Sequence, residues 1–161
     1  MGVTGKGKLK IDKKGLEKLQ KQLEELEKGK ARDKFFEDCA KEMAARLLSL
    51  VKPKTPVGVY DDPSRKGGTL RRGWTGGKRR SAEAFADSLT VKKSGNTYTI
   101  TVADDVPYAS YVEYGHRTRG GKGFVPGKRM LEISEQELEA LAPNVLKRKL
   151  NAFLREVLND G

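Results

Sequence analysis

Leucine recurs at Leu16, Leu19, Leu23 and Leu26, a three-four-three spacing that lines one helical stripe, with Lys and Glu on the other faces. This predicts a helix interrupted near Gly29. The i,i+4 pairs Glu17–Lys21 and Glu24–Lys28 add about 0.2–0.5 kcal/mol each. A broader stripe follows: Phe36, Cys39, Met43, Leu47 and Leu50, flanked by Phe35, Ala40, Ala44, Leu48 and Val51. It predicts a core helix, which Pro53 is expected to end because Pro lacks a backbone N–H and biases Lys52 toward extended backbone. Further on, 82–89 reads as a short helical turn. The period then changes to two. Leu89 and Val91 alternate with polar residues, Ser94-Gly95-Asn96 supplies a turn, and Tyr98, Ile100 and Val102 alternate on the return. The intervening threonines suit an exposed strand face, so a hairpin is expected over 88–103.

Beyond the hairpin, Val106 to Gly115 reads as one or two helical turns closed by Gly115 in a left-handed conformation. Phe124-Val125-Pro126 reads as a brief edge strand. Ser134-Glu135-Gln136-Glu137 has the form of a capping box with Ser134 as N-cap. An amphipathic pattern runs from Leu138 to Leu158, and Pro143 is expected to kink or split it. Three segments carry no period. Residues 1–10 are Gly- and Lys-rich and read as disordered or as an arm. Residues 54–80 and 115–129 form long loops rich in glycine and basic residues. The expected fold is α+β: a long N-terminal helical region, a small antiparallel sheet centred on the hairpin, and a C-terminal helix packed on the sheet. Two parts are expected, a basic arm and helix over 1–30 and a single domain over 31–161.

Composition sharpens this picture. The chain has 161 residues, with 33 Lys and Arg against 22 Asp and Glu, for a net charge of +11. Hydrophobic residues at 36% and charged residues at 34% imply a small core beneath much solvated or partner-covered surface. No run approaches the roughly 18 apolar residues of a membrane span, and no apolar block follows the basic N-terminus as a secretory signal would require. The single cysteine, Cys39, excludes an intrachain disulfide and reads as a buried small hydrophobe.

Catalytic and cofactor patterns are scarce. The one histidine, His116, cannot form a His pair for a metal, and its neighbour Glu113 reads more simply as a surface carboxylate. Gly67-Gly68-Thr69 and Gly120-Gly121-Lys122-Gly123 lack the spacing of a phosphate-binding loop. The reading is therefore of a protein that is not an enzyme and needs no cofactor. What stands out instead is positive charge: Arg65, Lys66, Arg71, Arg72, Lys78, Arg79 and Arg80 in one loop, and Arg117, Arg119, Lys122, Lys128 and Arg129 in another. Six phosphate contacts would give a salt slope of about −5 in log K, without sequence preference because no recognition helix is present.

Two segments together carry a resemblance. One is Lys52-Pro53-Lys54-Thr55-Pro56-Val57 and, after the insertion Gly58 to Gly67, Gly68-Thr69-Leu70-Arg71-Arg72-Gly73-Trp74. The other is Val106-Pro107-Tyr108-Ala109-Ser110-Tyr111-Val112-Glu113-Tyr114-Gly115-His116-Arg117, followed by Gly123-Phe124-Val125-Pro126-Gly127. They resemble the tail-component family of tailed bacteriophages typified by gene product ten of a lambdoid siphophage. The resemblance implies a non-enzymatic virion protein of the neck or tail, assembled in the host cytoplasm. It would complete the tail or join it to the head, as a homo-oligomeric ring with a hexamer suspected, and bind neck, head-completion and tail-tube proteins. The expected interface comprises Leu70, Arg71, Arg72, Trp74, Tyr108, Tyr111, Glu113 and Tyr114. Trp74 would be an anchor in the core or at a subunit interface, and Glu113 a partner for Arg71 or Arg72. Arg65, Lys66, Lys78, Arg79, Arg80, Arg117, Arg119 and Lys122 are the expected DNA-facing cations. The alternative is a small, basic, sequence-independent nucleic-acid-binding protein.

Overall fold

The computed structural model describes residues 6–10 and 29–159, with side chains over 29–156. The leucine stripe from Leu16 to Leu26 lies outside the described residues. Helix α1 (Lys30–Lys54) is the spine. It buries Phe35, Phe36, Cys39, Ala40, Met43, Ala44, Leu47, Leu48 and Val51, the stripe expected from the spacing, with Leu50 half-buried at its edge. Pro53 sits in the last turn, and the helix ends one residue later. Short helices α2 (Thr69–Gly73) and α3 (Ala82–Ser88) follow. Helix α3 starts at Ser81, whose side chain accepts the Ala84 N–H, an N-cap bond that satisfies an orphan donor.

The hairpin forms as expected in kind, with a shorter first strand. Strand β2 (Lys92–Ser94) pairs antiparallel with β3 (Thr97–Ala103) across Gly95-Asn96. Leu89 and Val91 precede β2 and pack on the core as irregular backbone. On β3, Tyr98, Ile100 and Val102 are buried while the threonines between them are half-buried or exposed. A third strand corrects the reading of residues 6–10 as disordered. Strand β1 (Lys6–Lys10) lies antiparallel on the other edge of β3, giving the order β1-β3-β2. Its backbone completes a ladder that its Gly- and Lys-rich sequence does not advertise.

Helix α4 (Ala109–Tyr114) leads into a two-stranded sheet of β4 (Gly115–Arg117) and β5 (Phe124–Pro126). Gly115 has φ 86° and ψ 173°, so its φ is positive as expected but its backbone is extended rather than left-handed helical. Helix α5 (Met130–Asn159) runs unbroken through Pro143. It starts four residues before Ser134, so Ser134 is no N-cap; it is buried inside the helix and its hydroxyl donates back to the Met130 carbonyl. Helix α5 packs mainly along α1, and α1 is the layer that covers β3. At one end Phe36 stacks on Tyr98 and Phe35 on Phe153, with ring centroids 5.2 and 4.6 Å apart. Leu150 joins this cluster and brings α5 to the sheet. Asp33 ties that end together. It accepts the Tyr98 hydroxyl at 2.6 Å and pairs with Lys93 at 2.7 Å, contacts that hold its carboxyl below the usual range, the Lys93 bond most of all.

Candidate functional site

Two surfaces carry the unusual chemistry. The first begins at Trp74, which is 1% exposed and fills the core beneath α2. Its indole N–H donates to Thr55 Oγ1 at 2.8 Å, and Thr55 Oγ1 in turn donates to the Val51 carbonyl. Leu70, on the same face of α2, is also buried. This anchor turns the rest of α2 outward, and the chain after it is held rather than loose. The Gly77 N–H donates to the Arg72 carbonyl, and Thr75 Oγ1 bonds both the Arg72 and Lys78 carbonyls. The Lys52 ammonium donates to the Arg80 carbonyl at 2.9 Å, drawing 78–80 against the end of α1.

The result is a cavity of about 420 Å³ lined by Lys52, Gly68, Arg71, Arg72, Thr75, Lys78, Arg79 and Arg80. Arg71 donates through Nε and Nη2 to the Thr55 carbonyl and through Nη2 to that of Pro53. These are carbonyls at the C-terminus of α1, which a helix leaves without partners and which carry its negative dipole end. Arg72 donates to the Gly67 carbonyl at 3.2 Å. None of these six cations is paired with a carboxylate among the described residues. Glu113 is not the partner of Arg71 or Arg72. It is buried, and its two oxygens accept the Leu131 and Glu132 N–H groups at 2.9 and 3.0 Å. Free N–H groups at the start of α5 outcompete an arginine, because a carboxylate there satisfies orphan donors and the positive end of the dipole together.

The second surface is aromatic. Tyr108, Tyr111 and Tyr114 on and beside α4 are 44, 57 and 60% exposed, and Phe124 on β5 is 62% exposed. Tyr111 meets His116 edge-on at 5.7 Å. Helix α4 and the β4–β5 ribbon press together closely. A Cβ on Gly127 would collide with the Glu113 backbone, and one on Gly115 with the Val125 carbonyl. These glycines let the ribbon fold back under α4.

The other expected cations fall elsewhere. Arg65 lies over the Tyr60 ring at 5.6 Å in the exposed 58–67 insertion, and Lys66 is exposed beside it. Arg117 and Lys122 flank a separate shallow cavity with Phe124, and Arg119 is exposed in the same loop. Lys52 and Phe124 are absent from the interface and DNA-facing residues expected from the sequence. Lys52 reads as a helix end, and Phe124 as an edge strand, although an apolar pair in a three-residue strand bounded by glycines has nothing on its own sheet to cover it.

Among the described residues no helix is long and apolar enough to cross a membrane. The described residues thus form an α+β framework with an exposed aromatic face and a basic cavity that no carboxylate lines. A family model described as "Bacteriophage HK97-gp10, putative tail-component" matches residues 17–115, more than half of the chain, and the chain belongs to that family. No curated protein and no solved structure matches it.

Proposed function

We propose that this tail component acts as a tail-completion or head–tail joining subunit of the virion, one that self-assembles as a ring and binds neighbouring neck or tail proteins. The observation that supports this most is the exposure of Tyr108, Tyr111, Tyr114 and Phe124 together on α4 and the β4–β5 ribbon. Tyrosine and phenylalanine give large contact area with few rotors to freeze, as interface hot spots do. Leu70, Trp74 and Glu113 serve the interface from beneath: the first two set α2, and Glu113 locks α4 to α5. Arg71 and Arg72 belong with the basic cavity.

The test is mass by light scattering on size-exclusion fractions across protein concentration. A defined oligomer is expected, shifted toward monomer by Tyr114→Ala or Phe124→Ala while circular dichroism stays unchanged. An oligomer indifferent to both substitutions would remove the aromatic face from the interface. A strict monomer at every concentration would require the neighbouring virion protein for assembly.

A further inference from the structure

We propose that the cavity formed by Lys52, Arg71, Arg72, Lys78, Arg79 and Arg80 is a binding site for the sugar-phosphate backbone of nucleic acid, read without regard to base sequence. Three observations carry this. Six cations converge on a cavity of about 420 Å³ with no carboxylate among its lining residues. Like charges gathered there repel one another, and a bound anion relieves that repulsion. Second, the arginines are built in. Arg71 is held by the Thr55 and Pro53 carbonyls and Arg72 by that of Gly67, so these guanidiniums are oriented before any ligand arrives. Arg71 Nη1 has no protein partner among the described residues, so its two N–H donors remain to meet a phosphate oxygen.

Third, the lining chooses between polyanions. Apart from the six basic residues it contains Gly68 and Thr75, with no aromatic or aliphatic side chain. An acidic protein segment would meet no aromatic or branched apolar residue there to serve as an anchor. Duplex DNA presents one charge per about 1.7 Å of axis and needs no such anchor. Thr75 fixes the approach by bonding the Lys78 carbonyl, and Lys52 by bonding that of Arg80, so the exposed side chains of Lys78, Arg79 and Arg80 stand at the rim of a shaped cavity.

The experiment is titration of the full-length protein with a fluorescent duplex of mixed sequence from 50 to 200 mM salt. With four phosphate contacts, log K should fall with a slope of about −3.6, roughly a 150-fold loss over that range. Replacing Lys78, Arg79 and Arg80 together by Ala should cut the slope by about 2.7, and Arg79→Gln alone by about 0.9. Replacing Arg117, Arg119 and Lys122 by Ala removes the same charge elsewhere and should change it less. Equal loss from both triple variants would mean diffuse attraction and would overturn the site. Thermal melts check that each variant is folded, and Arg79→Gln decides if the triple variant is not. Tighter binding of poly-glutamate than of DNA would assign the cavity to an acidic protein instead. Displacement of the DNA by inorganic phosphate at matched ionic strength would assign it to a free phosphate. No binding at 50 mM salt would also sink the proposal. Since monomer and oligomer can both be titrated, none of these outcomes depends on the ring.

Discussion

Thr55 Oγ1 donates to the Val51 carbonyl and accepts from Trp74 Nε1, and the residue is fully buried. Thr55→Val keeps the shape but strands the indole N–H in the core, which costs about 1–3 kcal/mol. The expected sign is a lower urea midpoint with an unchanged slope. Cys39 is similarly enclosed, and burial pushes its thiol up to about 12. Native protein should therefore resist a thiol reagent at pH 8 and react only when denatured. Asp104 is shifted the same way, a buried carboxyl that burial pushes up to about 6, with Oδ1 accepting the Val106 N–H and Oδ2 without a hydrogen-bond partner among the described residues. The unfolded chain loses this proton near the ordinary 3.8, so between there and about 6 the native state holds more protons. Asp104 thus costs stability as pH rises through that window. Asp104→Asn should gain on the wild type between pH 4 and 7 in urea denaturation. A difference that stays constant with pH would contradict this.

The elements are joined by single groups acting at a distance in sequence. Glu113 sits near the end of α4 and caps α5, accepting the Leu131 and Glu132 N–H groups. Hydrogen bonds to a charged group are worth about 1.5–3 kcal/mol, so Glu113→Ala should be among the more destabilising single changes outside the apolar core. Glu113→Gln keeps one good acceptor and should recover part of the loss in the same thermal melt. Gly127→Ala should be as damaging for a different reason, since its Cβ would meet the Glu113 backbone at the fold-back of the ribbon. Ser134 shows why local motifs mislead here. Its four-residue signature is that of a cap, yet the helix starts earlier because Glu113 supplies the cap from another element.

At the scale of the whole molecule, +11 on 161 residues opposes self-association at low salt. The proposed contact face is aromatic, whereas the concentrated charge lies in the basic cavity. Salt screens charge over a Debye length of about 10 Å at 0.1 M and leaves apolar contact intact. Raising salt from 50 to 500 mM should therefore shift the mass distribution toward the oligomer. A shift toward monomer would mean that ion pairs hold the copies together.

Much of the framework was legible in the sequence. The α1 stripe, the Tyr98-Ile100-Val102 face, the α4 turn and the β5 strand each follow from a local period or a bounded apolar run, so neighbours in sequence carry the signal. Of the candidate site, the three tyrosines and most of the cations could be named, since residue type alone identifies them. Their grouping could not. The two basic loops read as equivalent runs of charge, but Thr55 holding Trp74, Thr75 closing the turn and Lys52 reaching Arg80 gather one set into a cavity with α1. The β1 strand, the role of Glu113 and the place of α5 along α1 were equally hidden. Each depends on hydrogen bonds or packing between residues far apart in the chain, which no local spacing encodes. The sequence by itself determined the family, the charge and the main elements, because composition and period are local properties. Tertiary structure alone decided which tyrosines face outward, which carboxylate turns inward and which cations meet, because burial and convergence exist only once distant segments are packed.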